Sequence, residues 1–502
     1  MESFAQLLES GRRAGPCRPF PRGEVSAEQW TALAGHLAAG DLVLMGLWGD
    51  AGAVHMALLD EAAGRLAVAT YACAGGAFPS VARHHPPAAR LERTVRDLYG
   101  LVPEGAPDDR AWLDHGRWGV RHPLGTPLPA EPAGDTYAFL AAEGEGLHQI
   151  PVGPVHAGII EPGHFRFSCY GEAVVRLEER LGYVHKGIER LVAGADVAQA
   201  ARLAGRQSGD STVAYALAFC RAVEAARGVA VPARAHALRG VMAELERLAN
   251  HLGDIGAICN DAAFALMLAH CGVLREKVLR VSARAFGHRL MMDGVIPGGV
   301  AVDLARDGIS AIRVLVSEVR AAFPALVELY DNTASLQDRT VGTGFTRPDY
   351  VRQFGAGGYV GRASGRPFDA RRAFAYPPYD RLPFEVAVRP EGDVNARIWV
   401  RIREVEESLG LVVRLLDTLP DGPVATEIPA GPGEGLAVVE GFRGDVLAFV
   451  ALAADGRVRR AHLRDPSWFQ WPLLETAIEG NIVADFPLCN KSFNCSYSGV
   501  DL

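Results

Sequence analysis

Four side chains that can carry or move charge recur at helical spacing in one segment of the 502-residue chain. Glu244, Arg247, His251 and Asp254 are separated by three, four and three residues, so they share one face of a helix predicted over residues 233–259. If that face is buried, the row can conduct protons or transmit a change in charge. The alternative, which we expect for most charged runs, is an exposed amphipathic face.

Cysteine spacing bears on metal chemistry, because soft thiolates are the ligands that nickel and iron centres use. The chain has 8 cysteines, and none forms a pair with two intervening residues. Cys489 and Cys495, with five residues between them, come nearest, and we interpret them as structural or incidental thiols, with metal ligands as the alternative. The other cysteines are scattered along the chain, which indicates reduced thiols and not the disulfide scaffold of a secreted protein. The spacing therefore predicts no metal site.

The composition excludes several classes of function. A net charge of −8, from 51 basic and 59 acidic residues, argues against nucleic acid as a partner. The sequence contains no signal peptide and no apolar run of roughly 18 residues that could span a membrane, which predicts a cytosolic or peripheral protein. No Gly-rich dinucleotide fingerprint opens a helix after a strand, so any nicotinamide is expected to bind elsewhere.

The hydrophobic pattern predicts an α+β protein with a small N-terminal α/β domain over residues 1–121. A helix is predicted near Ala27 to Ala39, followed by strands at 41–47, 54–59 and 66–71. Residues 122–150 are rich in Pro, Gly and Ala, the composition of a linker. A large, mainly helical domain is predicted over residues 151–502.

In the large domain, two apolar-aromatic stretches after Ile150 predict an early β-hairpin. Residues 435–463 alternate apolar and polar side chains around Ala454-Asp455-Gly456, which predicts a late β-hairpin. Helical spacing is found between them, in segments 171–193, 212–227, 233–259, 262–291, 303–330 and 394–418.

Several stretches carry a resemblance to known families. Residues 91–100 (LERTVRDLYG) and 103–113 (PEGAPDDRAWL) resemble the signature of the C-type subunit of respiratory complex I, although a solvated helix and loop would look similar. The second half resembles the D-type subunit, and more closely the large subunit of membrane-bound nickel-iron hydrogenases of the formate hydrogenlyase kind. Its matching stretches are 153–156, 161–167, 179–189, 275–277, 287–289, 298–300, 339–342, 361–365 and 369–371.

This resemblance implies a subunit of a membrane-associated NADH:quinone oxidoreductase-like or hydrogenase-related electron-transfer complex that couples redox chemistry to ion translocation. It implies an iron-sulfur small subunit of the complex I B type and integral membrane ion-translocating subunits as partners, at the cytoplasmic face of the inner membrane. The iron-sulfur cluster would belong to the small subunit. Two alternatives are an active nickel-iron hydrogenase large subunit and a non-catalytic coupling scaffold.

The chain departs from the hydrogenase pattern at the metal ligands. The two cysteine pairs of that pattern align with Ser208 and Ser211 and with Ser496 and Gly499. A hydroxyl group is not a thiolate, so no nickel-iron centre and no intrinsic cofactor are expected, with a bound quinone as the alternative. A shift of one residue would bring Cys495 to one ligand position.

Two acidic residues are candidates for proton transfer. Glu189 matches the glutamate that in the hydrogenase pattern lies beside the metal as a proton relay, although a surface or ion-paired residue is the alternative. Asp210, between the two serines, is a candidate replacement acid. Its alternative role is to cap the helix that begins at Thr212, together with Ser208 and Ser211.

The early hairpin carries His156, His164 and Arg166. In the complex I relatives a histidine of this hairpin approaches the quinone headgroup, where an imidazole can donate a hydrogen bond or a proton. The resemblance therefore places these residues, with Ser208, Ser211 and Ser496, around a degenerate metal or quinone pocket. The tyrosine that partners the histidine in those relatives is not evident in residues 206–209, and a structural role for His164 is the alternative.

Overall fold

The computed structural model describes residues 4–9, 17–129, 137–156 and 160–502. Helix α1 covers residues 4–9, and α2 (Ala27–Ala39) has the predicted bounds. The hydroxyl of Ser26 accepts a hydrogen bond from the Gln29 amide, whose side chain accepts one from the Ser26 amide, so a capping box starts α2. Gly40, with φ of 78°, ends it.

The N-terminal region contains a four-stranded sheet of order β2-β5-β4-β3, parallel only between β2 and β5. Its three long strands confirm the three predicted ones. The elements are β1 (Cys17–Arg18), β2 (Arg22–Glu24), β3 (Val43–Asp50), β4 (Ala53–Asp60), β5 (Arg65–Ala72), β6 (Ala77–Pro79), α3 (Ala89–Tyr99), β7 (Val102–Glu104), β8 (Val120–Arg121) and β9 (Leu128–Pro129).

An antiparallel sheet of β10 (Leu147–Val152), β11 (His164–Tyr170) and β12 (Ala173–Arg180) follows. The helix predicted over 171–193 is therefore wrong, since only α4 (Ile188–Val192) in that range is helical. Ion pairs with the N-terminal region explain the difference: Glu178 lies 2.6 Å from Arg110, and Glu179 lies 3.3 Å from Arg90. These tertiary contacts outweigh the local helical pattern.

The helical part confirms the other five predicted helices within a few residues. Its elements are α5 (Val197–Ala204), α6 (Thr212–Arg227), α7 (Ala233–Asp261), α8 (Ala265–Phe286), β13 (Val295–Ile296), β14 (Gly299–Val300), α9 (Arg306–Asn332), α10 (Ala334–Thr340), α11 (Pro348–Phe354), α12 (Gly358–Arg362), α13 (Ala370–Ala373) and α14 (Val394–Asp417).

The predicted late hairpin is extended to a meander of three strands. Strands β15 (Gly433–Glu440), β16 (Asp445–Leu452) and β17 (Val458–Arg464) pair antiparallel, and β1 pairs parallel with β15. The N-terminal segment therefore completes a sheet built from the end of the chain. Helices α15 (Ser467–Ala477), α16 (Phe486–Phe493) and α17 (Tyr497–Asp501) follow.

Helix α7 is buried on all sides along most of its length. Its apolar residues Leu245 and Leu252 are inaccessible to solvent, and so are the charged-row residues Glu244 and His251. The expectation that the row forms an exposed face is therefore wrong. Helices α8 and α14 pack against α7, so its polar face is enclosed as well.

A buried ion pair stabilises the contact between α6 and α7. Arg239 donates to both carboxylate oxygens of Glu224, at 3.0 and 2.5 Å, and to the carbonyls of Ile296 and Gly299. We expect Glu224→Ala to lower the free energy of unfolding by about 3–5 kcal/mol, because it leaves the guanidinium buried and uncompensated. Urea unfolding followed by circular dichroism measures the change.

The exposed pair between Lys277 and Glu318 supplies the control. Glu318→Ala should change the free energy of unfolding by about 1 kcal/mol or less, because solvent screens the pair. Equal effects of the two substitutions would contradict the assigned burial of Glu224.

Candidate functional site

A large cavity lies where α7 and α8 meet the end of the chain. Its volume is about 1140 Å³, somewhat more than the roughly 300–1,000 Å³ of a typical small-molecule site. Both acidic and basic side chains border it, together with the amides of Asn250, Asn490 and Asn494. The charged residues are Glu161, Asp210, Asp254, Asp261, Arg275, Arg443 and Lys491.

One wall of the cavity brings together the positions aligned with the hydrogenase cysteines. The Oγ atoms of Ser208 and Ser496 lie 2.8 Å apart, although 288 positions separate them in the chain. The Ser496 hydroxyl also accepts the amide of Gly499 at 2.9 Å and so caps α17. Ser211 reaches the same wall through Arg443, whose Nη1 donates to its hydroxyl at 3.1 Å.

Asp210 and Arg443 form a two-pronged ion pair at this wall. The Nη1 and Nη2 atoms of Arg443 lie 2.7 and 2.6 Å from the two carboxylate oxygens of Asp210, and the Ser208 hydroxyl donates to the same carboxylate. Burial alone would raise the pKa of Asp210, but the Arg443 guanidinium and these hydrogen bonds hold the pKa below its usual value. Asp210 is therefore a carboxylate at neutral pH.

The structure does not support the capping alternative for Asp210. Glu246 of α7 accepts the amides of Val213 and Ala214, at 2.7 and 3.1 Å, and so caps α6. Neither Ser208 nor Ser211 makes a side-chain capping bond. Glu246 was not predicted from the sequence, and neither was Arg443, which lies in the tight turn between β15 and β16 and belongs to no periodic pattern.

The residues at this wall do not fit a centre that needs four thiolates. They supply hydroxyl groups and a carboxylate already paired with a guanidinium. Cys495 borders the cavity, but its Sγ faces Gln470 at 4.0 Å, and burial raises the pKa of this thiol well above its usual value. Cys489 is buried and does not border the cavity. Across the described ranges, no group of three or more His, Cys, Asp or Glu side chains is arranged to hold a metal ion.

Glu189 lies apart from this cavity. Its carboxylate is buried and contacts Nδ1 of His462 at 2.7 Å and Arg460 at 2.8 Å. Burial would raise the pKa of Glu189, but Arg460 and His462 together lower it. The residue borders a second, mostly apolar cavity of about 350 Å³ that also contacts Trp118 and His185.

His164 and Arg166 contact each other at the early sheet and do not border the large cavity. His164 Nδ1 donates to the carbonyl of Gly153 at 2.8 Å, and Arg166 Nε donates to His164 Nε2 at 3.3 Å. Burial lowers the pKa of His164, so its imidazole is neutral. His156 lies near Gly153. Residues 160 and 161 of the same loop do border the cavity, and Glu161 accepts the Ser498 amide.

The row predicted on α7 is the start of a buried charge cluster. Arg247 and His251 both contact Glu404 of α14, at 3.3 and 2.7 Å. Glu404 also pairs with Arg362, at 2.5 Å. At the far end, Glu244 accepts hydrogen bonds from Tyr379, Ser408 and Arg371.

The cluster contains more carboxylates than guanidinium groups. Three arginines (Arg247, Arg362 and Arg371) face four acids (Glu244, Asp369, Glu404 and Glu440). Burial, and next the charge of Asp369, raises the pKa of Glu440 to about 7. The cluster therefore carries one carboxylate more than guanidinium groups, and it contains an acid, Glu440, whose pKa lies near neutral pH.

The α7 row extends from this cluster to the large cavity. Asp254, one turn beyond His251, borders the cavity and accepts hydrogen bonds from Arg401 and Asn494, at 3.3 and 3.0 Å. A change of charge in the cavity therefore acts directly on one end of the row. Sequence spacing predicted the four members of the row but not their partners.

Two family models match the chain. Residues 24–133 match the 30 Kd subunit of the respiratory-chain NADH dehydrogenase, and residues 261–432 match its 49 Kd subunit. Among solved structures, the membrane-bound sulfane sulfur reductase, an archaeal respiratory membrane complex, contains a similar chain. That chain superposes with a TM-score of 0.68 at 25% identity, covering 71% of this chain and 99% of the other.

Curated relatives cover most of the sequence. Formate hydrogenlyase subunit 5 of Escherichia coli K12 is 33% identical over 439 residues, which are 84% of this chain and 77% of the relative. The C/D subunit of the NADH-quinone oxidoreductase of Bacteroides thetaiotaomicron is 28% identical over 439 residues, covering 81% and 82%. None of the helices in the described ranges is long and apolar enough to cross a membrane. The chain belongs to the family of complex I-like subunits, with fused 30 kDa-type and 49 kDa-type regions, of membrane-bound hydrogenase and NADH-quinone oxidoreductase complexes.

Proposed function

We propose that this chain is the subunit of a membrane-associated electron-transfer complex in which reduction of an acceptor in the large cavity drives proton movement along α7. The observation that carries the proposal is the position of Asp254, which borders the cavity and begins the buried row. A charge placed in the cavity by electron transfer would change the proton affinity of this row, since the low-dielectric interior screens it weakly.

A quinone-type acceptor fits the donors at the cavity wall. The side chains of Arg275 and Lys491 border it and can donate hydrogen bonds to carbonyl oxygens. Because His164 lies outside the cavity lining, the imidazole contact suggested by the complex I resemblance is not part of this proposal. A nickel-iron centre of the chain's own is not part of it either, because the aligned ligand positions carry serine and glycine.

The proposed partners follow from the family. An iron-sulfur small subunit would deliver electrons, and integral membrane subunits would translocate ions, with this chain peripheral at the cytoplasmic face. Residues 1–121 would serve as the docking domain, 122–150 as the linker and 151–502 as the redox-coupling domain. The two alternatives, a working hydrogenase and a non-catalytic scaffold, make different predictions.

Metal analysis of the purified complex distinguishes the proposal from the alternative of a working hydrogenase. We expect nickel far below one equivalent per chain, since the cavity wall offers hydroxyl groups where the centre needs thiolates. Iron from the small subunit, measured by mass spectrometry in the same sample, is the internal control for intact cofactors. One equivalent of nickel would overturn the ligand argument.

The substitution Asp210→Asn distinguishes the proposal from the alternative of a non-catalytic scaffold. Removing the carboxylate leaves Arg443 buried with an uncompensated charge beside the acceptor, and we expect electron transfer in the intact complex to slow by about tenfold or more. Asp293→Asn, which breaks the exposed pair with Arg206, is the matched control and should leave the rate unchanged. Thermal melting of both variants reports folding. An unaltered rate in a folded Asp210→Asn complex would favour the scaffold.

Glu244→Gln tests the coupling row. The substitution removes one carboxylate from the cluster of four acids and three arginines, so the cluster no longer needs a proton. We expect electron transfer to continue while the number of protons moved per electron, measured in vesicles, falls. Glu406→Gln, at an exposed pair on α14, is the control. Unchanged coupling in a folded Glu244→Gln complex would exclude α7 from the proton route.

A further inference from the structure

A small cavity lies between the N-terminal sheet and the late sheet. Strand β3 contributes Trp48, α3 contributes Tyr99, α4 contributes Glu189, and β17 contributes Arg460 and His462. The cavity offers about 10 Å³ to the centre of a water molecule. Since about 10–15 Å³ on this measure holds one water, the space suits a single molecule.

Five polar atoms of the cavity's lining residues make no hydrogen bond to the protein in the described ranges. One of them, Glu189 Oε2, is ion-paired with Arg460 at 2.8 Å. The other four are Trp48 Nε1, Tyr99 Oη, His462 Nε2 and Trp468 Nε1, and their residues are 1%, 7%, 3% and 2% exposed. Buried polar atoms in folded proteins nearly always bond to protein or to ordered water, so these atoms around one cavity point to a shared partner.

The hydrogen-bonding capacities of these atoms match a water molecule. His462 Nδ1 lies 2.7 Å from Glu189 Oε1. The carboxylate also pairs with Arg460, so it is ionised and can only accept. Nδ1 therefore carries the proton, which leaves Nε2 as an acceptor. Trp48 Nε1 only donates, and the Tyr99 hydroxyl does either. A water here would make three hydrogen bonds, the usual number for a buried one.

We propose that this cavity binds one ordered water molecule, held by Trp48, Tyr99 and His462. The water ties β3 and α3 of the N-terminal region to β17 near the end of the chain. It also holds His462, whose ring stacks on Trp48 with 5.1 Å between centroids, in the tautomer that donates to Glu189. His462 is then a positioning residue for the Glu189 carboxylate. This site is independent of the acceptor cavity and of the function proposed for it.

An experimental structure of the assembled complex tests the site directly. At a resolution that shows other buried waters, we expect a density peak within hydrogen-bonding distance of Trp48 Nε1, Tyr99 Oη and His462 Nε2. An empty cavity in such a map overturns the proposal.

Tyr99→Phe tests the link to His462 in solution. The substitution keeps the ring and removes one of the water's partners, so we expect the ¹⁵N resonance of His462 Nε2 to shift and the density peak to weaken. Tyr71→Phe removes a hydroxyl from the same N-terminal sheet outside the cavity and should change neither. Trp48→Phe provides a second variant that removes a donor, and thermal melting identifies the folded proteins. If the His462 resonances are unchanged in both folded cavity variants, the water is not bound to His462.

Discussion

The contact of Glu404 with Arg247, His251 and Arg362 is the interaction on which the large region depends. These four side chains come from α7, α12 and α14, and all are buried. Because an unpaired buried charge costs several kcal/mol, each helix can take only a position that preserves the pairing. Glu440 adds a fourth carboxylate to a cluster with three arginines. The excess negative charge makes the cluster sensitive to protonation and to nearby charges, since it needs a proton or an opposing charge.

Predictions from sequence succeeded where the signals were local. Helix α6 has the predicted bounds, and Gly228, with φ of 63°, ends it. Helix α7 begins at residue 233, the predicted start, directly after Pro232, a residue favoured near helix starts. The helix prediction was wrong for residues 173–180, because these residues form a strand. The ion-pair partners of Glu178 and Glu179 in that strand lie 68 and 89 positions earlier in the chain. No window of ordinary length contains those partners.

Some residues of the candidate site were predicted from sequence and others were not, for the same reason. Alignment with a family placed Ser208, Ser211 and Ser496 together, and the structure joins them at one wall. Motifs do not give the depth or the direction of a side chain. Glu189 and His164 were therefore assigned to a cavity that neither residue borders. Arg443 was missed because a turn residue has no periodicity, although it is the direct partner of Asp210. Local sequence patterns do not reveal ion pairs between residues that are far apart in the chain.

The Asp210–Arg443 pair balances the charge of a wall that carries no thiolate. Thiolates are anions, and a buried guanidinium beside them would be electrostatically balanced; serine hydroxyls are neutral and leave that guanidinium without a counter-charge. Asp210 lies between Ser208 and Ser211 in the chain and restores one negative charge at 2.6 Å from Arg443. In this chain the carboxylate therefore supplies the counter-charge of the guanidinium without a thiolate. The guanidinium is satisfied by Asp210, Ser211 and the carbonyl of Asn494, independently of any metal.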